Sequence, residues 1–250
     1  IMIELDIAIK DKYYANSASV VLKEIQFSVK PGEFIAVIGP SGSGKTTLLN
    51  MLSGLEDATG QKLLCNAKTL NDGKEYQLGY VFQQPRLMPW LTVNENIQLV
   101  LPTVQKQKIE TLLAQVGLAG KGDYYPKQLS GGMQRRVAIA RAFAVNPELI
   151  LLDEPFNSLD APTAAKLRLL LVNLCKSCGS TVIFVTHDLS EAINLADRII
   201  FMSSSPSSII HQAVVDLPKP RQESGSAELA WQAKLMSQYP QILSGSLCTD

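Results

Sequence analysis

The stretch GPSGSGKTT at residues 39–47 constrains this chain more than any other. It fits G-x-x-x-x-G-K-[ST], a loop that makes sense only between a buried strand and the start of a helix. Both neighbours are present. Phe34–Ile38 is a short apolar run leading into Gly39, and Leu48, Leu49, Leu52 and Leu55 mark one face of a following helix, with Gly54 at its end. Glycines let such a loop curl so that successive N–H groups converge on phosphates. Lys45 then reaches the β- and γ-phosphates, and the Thr46 hydroxyl sits on Mg²⁺.

Two further apolar runs extend the sheet. Leu149–Leu152 leads into Asp153, and Thr181–Val185 leads into Thr186-His187. Continuous runs of this length read as buried parallel strands, and ligands collect at the carboxyl ends of such strands. Asp153 is placed to hold the metal's water shell. Glu154 follows it directly, where a carboxylate takes a proton from an attacking water.

The 84–144 stretch reads as a mainly helical insert, with helical patterns at Lys106–Val116 and Met133–Ala144 and a Pro- and Trp-rich turn at Pro85–Trp90. After about Ser203 the chain turns Pro- and Ser-rich and linker-like, with a final helix around Ala227–Gln238. The expected division is a main domain at 1–215, with the insert inside it, and a linker with a short helical tail at 216–250.

Several classes are excluded by composition. Formal net charge is zero, so no bulk field recruits nucleic acid or an anionic membrane. No apolar run approaches the ~18 residues of a membrane span. The opening IMIELDIAIKDK mixes acids into its apolar residues, unlike a signal peptide, so a cytoplasmic location is expected. Cys175 and Cys178 form a CxxC, while Cys65 and Cys248 stand apart and only His187 and His211 are available to join them. Two thiols near a helix end is the simpler reading.

A second phosphate-type motif remains. In LSGGMQRR, at 129–136, Ser130-Gly131-Gly132 precedes an Ala-rich run and reads as a capped helix N-terminus, itself an anion site. One nucleotide does not use both cradles within one compact domain. The simplest use of the second is to close over a nucleotide held by another copy, in a head-to-tail pair.

The ordered set GPSGSGKTT, Gln83 in YVFQQ, LSGGMQ, LILLDEP, Ser158-Leu159-Asp160 and Thr186-His187-Asp188 resembles the ATP-binding cassette (ABC) ATPase family over about residues 3–215. The resemblance implies an α/β fold: a P-loop NTPase ABC cassette with a parallel-sheet core, an antiparallel β portion and a helical subdomain. It implies ATP and Mg²⁺ as ligands. Tyr13 or its neighbour Tyr14 would stack on adenine. Gly39, Pro40, Ser41, Gly42, Ser43, Gly44, Lys45, Thr46 and Thr47 would hold the phosphates. Gln83 would touch Mg²⁺ and the water while sensing a membrane partner. Ser130, Gly131 and Gly132 would contact the γ-phosphate across the dimer, and Asp160 the opposite subunit. Glu154 would be the general base or water-positioner, and His187 would bind the γ-phosphate. Met133 stands where many family members have Gln, which removes that side chain's contacts and leaves the Ser-Gly-Gly backbone site.

Thr46 to Ser130 is continuous and lacks sustained heptads, unlike chromosome-type relatives. One cassette without fused membrane helices points to a separate subunit docking on integral membrane permeases and, indirectly, on a solute-binding protein. It would sit on the cytoplasmic face of the inner membrane. PRLMPWLTVNENI, EPFNSLDAPT and LADRIIFMSSSPSSII followed by VVDLPKPR are similar to the nitrate, sulfonate and taurine group of importer ATPases, which also includes bicarbonate and pyrimidine-precursor importers. Trp90, with Pro89 and Leu91, is read either as lining a groove for a permease helix or as a core residue of the insert. The alternative function is a soluble ABC-type ATPase serving as a switch or clamp.

Overall fold

The structure is a computed structural model that describes residues 3–13, 19–66, 68–69, 76–221 and 225–247. The elements run β1 (Leu5–Tyr13), β2 (Val20–Val29), β3 (Phe34–Ile38), α1 (Lys45–Ser53), β4 (Lys62–Cys65), β5 (Lys68–Thr69) and β6 (Leu78–Val81). There follow α2 (Val93–Gln98), α3 (Lys106–Gln115), α4 (Gly131–Phe143), β7 (Leu149–Asp153) and α5 (Ala161–Cys178). The chain closes with β8 (Thr181–Thr186), α6 (Leu189–Leu195), β9 (Arg198–Met202), β10 (Ile209–Val214) and α7 (Ser226–Gln238). Two compact units result: one is Glu75–Ser180, and the other joins Met2–Lys74 to Thr181–Asp250.

In the joined unit, β3 lies parallel to both β8 and β9, with Phe34 opposite Val182 and Ile35 opposite Arg198. Every residue of β3 and β8 is buried, as a parallel sheet covered on both faces demands. The same unit carries an antiparallel sheet in the order β2-β1-β4-β5. Its β1 alternates, with Leu5, Ile7 and Ile9 buried and Asp6 and Lys10 exposed, the period of a strand with one wet face.

The 75–180 unit pairs β6 and β7 in parallel, Leu78 opposite Leu149, and is otherwise mostly helical. The parallel strands, antiparallel portion and helical portion expected of the fold are all present.

Two local readings change. Leu55 is 61% exposed, because α1 ends at Gly54 in the left-handed region (φ 77°) and Leu55 lies past that cap; Met51 fills the buried face instead. The stretch after Ser203 is not linker-like throughout, since β10 pairs antiparallel with β9 and gives Ile209–Val214 backbone partners. Composition alone misses this strand because its burial is only partial.

Candidate active site

In the joined unit, β3 delivers Gly39 directly into the loop. Gly42 and Gly44 both have φ near +79°, and Gly44 forms the N-cap of α1. A Cβ at Gly44 would come within 2.8 Å of Leu22 Cδ2, so backbone angle and space both select glycine. Lys45 is buried, and its Nζ donates to Gly39 O at 2.8 Å and Pro40 O at 2.9 Å. The ammonium thus holds the loop in its curl. No acidic side chain occupies the first turn of α1 and no side chain caps it, so the positive end of the helix is not offset locally. Thr46 is exposed at the first turn of α1, while Thr47 beside it is buried.

His187 follows β8 and is exposed. The backbone on each side of it is pinned. Thr186 Oγ1 donates to Glu191 Oε2 at 2.6 Å and accepts from the Asp188 N–H at 3.0 Å. Asp188 caps α6, accepting from Ser190 N and Glu191 N. Tyr13 ends β1 at a register irregularity and is half-exposed, which leaves a ring face for stacking. Tyr14 and Cys248 lie outside the described residues.

The 75–180 unit gathers the carboxylates. Asp153 is buried at the end of β7, and Glu154 follows with φ 44°, an unusual angle for a residue with a side chain. Glu154 Oε2 accepts from Gln83 Nε2 at 3.1 Å and Asn157 Nδ2 at 2.7 Å. Arg135 of α4 fastens both neighbourhoods: Nη2 donates to Gln83 O at 2.8 Å, and Nη1 to Pro155 O at 2.9 Å and Asn157 O at 2.8 Å. Arg141, farther along the same helix, donates to Pro85 O and Arg86 O. Burial, and then the charge of Asp153, push the Tyr80 phenol well up, so it stays neutral beside that carboxylate.

Asn157, Arg135 and Arg141 were not singled out in the sequence. The cations of MQRRVAIAR were the available signal, but their acceptors lie 20 to 56 residues away.

Ser130 caps α4, accepting from Met133 N at 3.3 Å. An added Cβ at Gly131 would meet nothing within 4 Å, and one at Gly132 only Thr163 Cγ2 at 3.9 Å. Internal packing therefore does not require these glycines. Asp160 caps α5, and hydrogen bonds from Thr163 hold its carboxyl below the usual range.

Trp90 is 70% exposed, which rules out the core reading. The loop that presents it is nonetheless firm. Buried Asn96 accepts from Met88 N at 2.8 Å and donates to Met88 O, Leu91 O and Thr92 O. Val104 and Leu99 are exposed in the same unit. The CxxC pair sits at the end of α5; burial pushes the Cys175 thiol up to about 12, so it packs as an apolar group. Among the described residues, no helix is long and apolar enough to cross a membrane.

The sequence model described as ABC transporter matches residues 22–157. An aliphatic sulfonates import ATP-binding protein of Xanthomonas axonopodis pv. citri is 42% identical over 222 residues, covering 86% of this chain and 87% of that protein. A nitrate import ATP-binding protein of Synechococcus elongatus is 41% identical over 213 residues, 81% of this chain and 32% of its own length. Among solved structures, a dimeric ATP-binding cassette in a post-hydrolysis state with ADP and phosphate superposes with a TM-score of 0.74. It is 32% identical and covers 87% of this chain and 100% of its own.

Proposed function

The chain belongs to the ABC transporter family, and from that premise we propose that it is the ATP-binding and hydrolysing subunit of a membrane importer. The solute is small and of the nitrate, sulfonate, taurine or bicarbonate kind, in line with the relatives' names. ATP is hydrolysed at two composite sites of a head-to-tail dimer, formed with a second copy or a homologue. Permease subunits anchor the pair at the cytoplasmic face of the plasma membrane, and a solute-binding protein acts through them.

The observation that carries this reading is the hydrogen bond from Gln83 to Glu154. Gln83 opens the segment that ends in exposed Trp90, so the carboxylate that handles water is tied to a candidate docking surface. In this reading Lys45 and the N-terminus of α1 hold the β- and γ-phosphates, and His187 holds the γ-phosphate from another side. Water attacks the γ-phosphorus in line, its proton passes toward Glu154, and ADP leaves. Gln83 orients that water. Thr46, Gln83 and Asp153 (through water) offer oxygen donors that suit Mg²⁺, which when bound neutralises charge on the β- and γ-phosphate oxygens. Tyr13 stacks on adenine. Ser130, Gly131, Gly132 and Asp160 serve the partner's side of each site.

Trp90 tests the docking half of the proposal. As an exposed side chain on a held loop, Trp90→Ala is expected to change stability by no more than about 0.5 kcal/mol. ATP affinity should be kept, while co-purification with the permease and solute-stimulated hydrolysis fall. Unchanged co-purification would remove Trp90 from the interface. No co-purification of the unaltered chain with any multi-span membrane protein would favour the soluble switch or clamp. Reconstitution with the permease and binding protein, comparing nitrate, aliphatic sulfonate, taurine and bicarbonate as stimulators, assigns the solute.

A further inference from the structure

The chain after Val215 is bonded into the unit that holds the phosphate loop. Arg221 is buried, and its guanidinium engages four backbone carbonyls. Nε and Nη2 donate to Leu217 O, Nη2 also to Val215 O at 2.9 Å, and Nη1 to Ile193 O at 2.8 Å and to Ala196 O. Ile193 and Ala196 belong to the last turn and C-cap of α6, whose terminal carbonyls have no partners within the helix. A cation at that end also meets the negative pole of the helix. Asn194 Nδ2 returns a bond to Arg221 O at 3.0 Å. Serving this many carbonyls at once takes the five donors of a guanidinium fork; a lysine has three on one nitrogen.

The opposite end of α6 is the cap in which Thr186, Asp188 and Glu191 frame His187. The helix has only seven residues, so a displacement of its C-terminal end is carried to its N-terminal end. Farther along, α7 packs against α6 and a 3-10 turn at Ile242–Ser244 buries Ile242 completely. Gly245 then lies on the backbone of Ser203 and Ser204. At its φ of 82°, an added Cβ would come within 2.6 Å of Ser204 N and 3.2 Å of Pro40 Cγ, in the phosphate loop itself.

We propose that residues 217–221 and 225–247 brace the nucleotide site at two points: Arg221 positions His187 through α6, and the turn at Gly245 supports the phosphate loop at Pro40. This rests on the reading of His187 as a γ-phosphate ligand. Arg221 touches neither nucleotide nor water; it is a positioning residue. The two contacts bear on different steps, and that separates them from a general role in stability. Arg221 lies behind a group that acts on the γ-phosphate, whereas Gly245 lies against the loop that binds the nucleotide.

The experiment compares Arg221→Ala, Arg221→Lys, Gly245→Val and His187→Ala in the full chain, measuring ATP affinity directly and ATPase kinetics. Arg221→Ala is expected to lower kcat by about tenfold or more, the scale of a small misplacement at a reacting centre, with affinity held within about twofold. Arg221→Lys, which keeps the charge but loses the fork, should retain the fold and show a smaller loss of kcat; it decides the matter if the alanine variant does not fold. Gly245→Val should raise KM while kcat is kept. In a His187→Ala background, Arg221→Ala should add no further loss, because it acts through a group already removed.

A further loss of the same size in that background overturns the positioning role. Turnover that collapses in His187→Ala but is untouched in Arg221→Ala and Arg221→Lys also overturns it, while leaving the γ-phosphate reading standing. Normal turnover in His187→Ala fails the γ-phosphate reading and takes the brace with it. Equal changes in KM and kcat for both Arg221→Ala and Gly245→Val would make the segment merely structural.

Discussion

Glu154→Gln is expected to bind MgATP with near-normal affinity and to lose hydrolysis by about 10²–10⁴, the usual worth of a general base. Glutamine keeps the length and an oxygen acceptor. The bonds that Oε2 receives from Gln83 and Asn157 can therefore be retained by the amide carbonyl. What the amide loses is the ability to take a proton. Glu154 also holds a backbone angle of φ 44°, a conformation that costs about 1–3 kcal/mol and persists where surrounding structure enforces it. Here the enforcement is visible, since Arg135 fixes the carbonyls of Pro155 and Asn157 immediately downstream. Gln83→Ala should be the milder change, because it removes one donor to the carboxylate and leaves the carboxylate itself. Lys45→Ala is the contrasting control. Its ammonium is buried against the loop carbonyls, so its loss should weaken nucleotide binding itself. Single-turnover hydrolysis and direct ATP binding, measured side by side, distinguish the two. A Glu154→Gln chain that hydrolyses ATP at the unaltered rate removes Glu154 from the chemistry.

The parts of this molecule that were legible in the sequence are those set by local chemistry. β3, β7 and β8 are continuous apolar runs with polar ends, and the structure buries every residue of all three. The helices α3, α4 and α7 fall close to the 106–116, 133–144 and 227–238 patterns. The short helix α2 was missed, although Thr92 and Glu95 form a capping box three residues apart. Less legible were the contacts that exist only once distant segments meet. Asn96 reads as an ordinary polar residue, yet it organises the loop beneath Trp90. Arg221 sits in LPKPRQESGS, a stretch with every compositional sign of a linker, and its acceptors at Ile193 and Ala196 are 28 and 25 residues away. Hydrophobic period reports which face of an element is buried; it carries no record of which carbonyl a guanidinium finds.

The second large effect is expected at Gly131. In a single chain the position is open, with nothing within 4 Å of an added Cβ, and it is the first residue of α4. A carboxylate in the first turn of a helix is favourable to the helix dipole, so Gly131→Asp should not harm the folded monomer. A deficit in the variant then reports on something that approaches from outside. If that is the γ-phosphate of a neighbouring chain's ATP, like charges are brought together and the approach is blocked. The variant should bind nucleotide at its own phosphate loop and fail to form an ATP-dependent dimer. Mixing it with Lys45→Ala chains is the decisive arrangement for a homodimer. One composite site of the mixed pair joins the intact loop of the Gly131→Asp chain to the intact Ser130–Gly132 terminus of its partner, while the other site carries both defects. Partial ATP-dependent dimerisation in the mixture, absent from either variant alone, is the expected result in size-exclusion chromatography. Transport need not return with it, since two working sites can still be required. Loss of ATP binding by the isolated Gly131→Asp monomer would mean that the glycine-bearing terminus serves its own chain's nucleotide, and the head-to-tail arrangement would have to be abandoned.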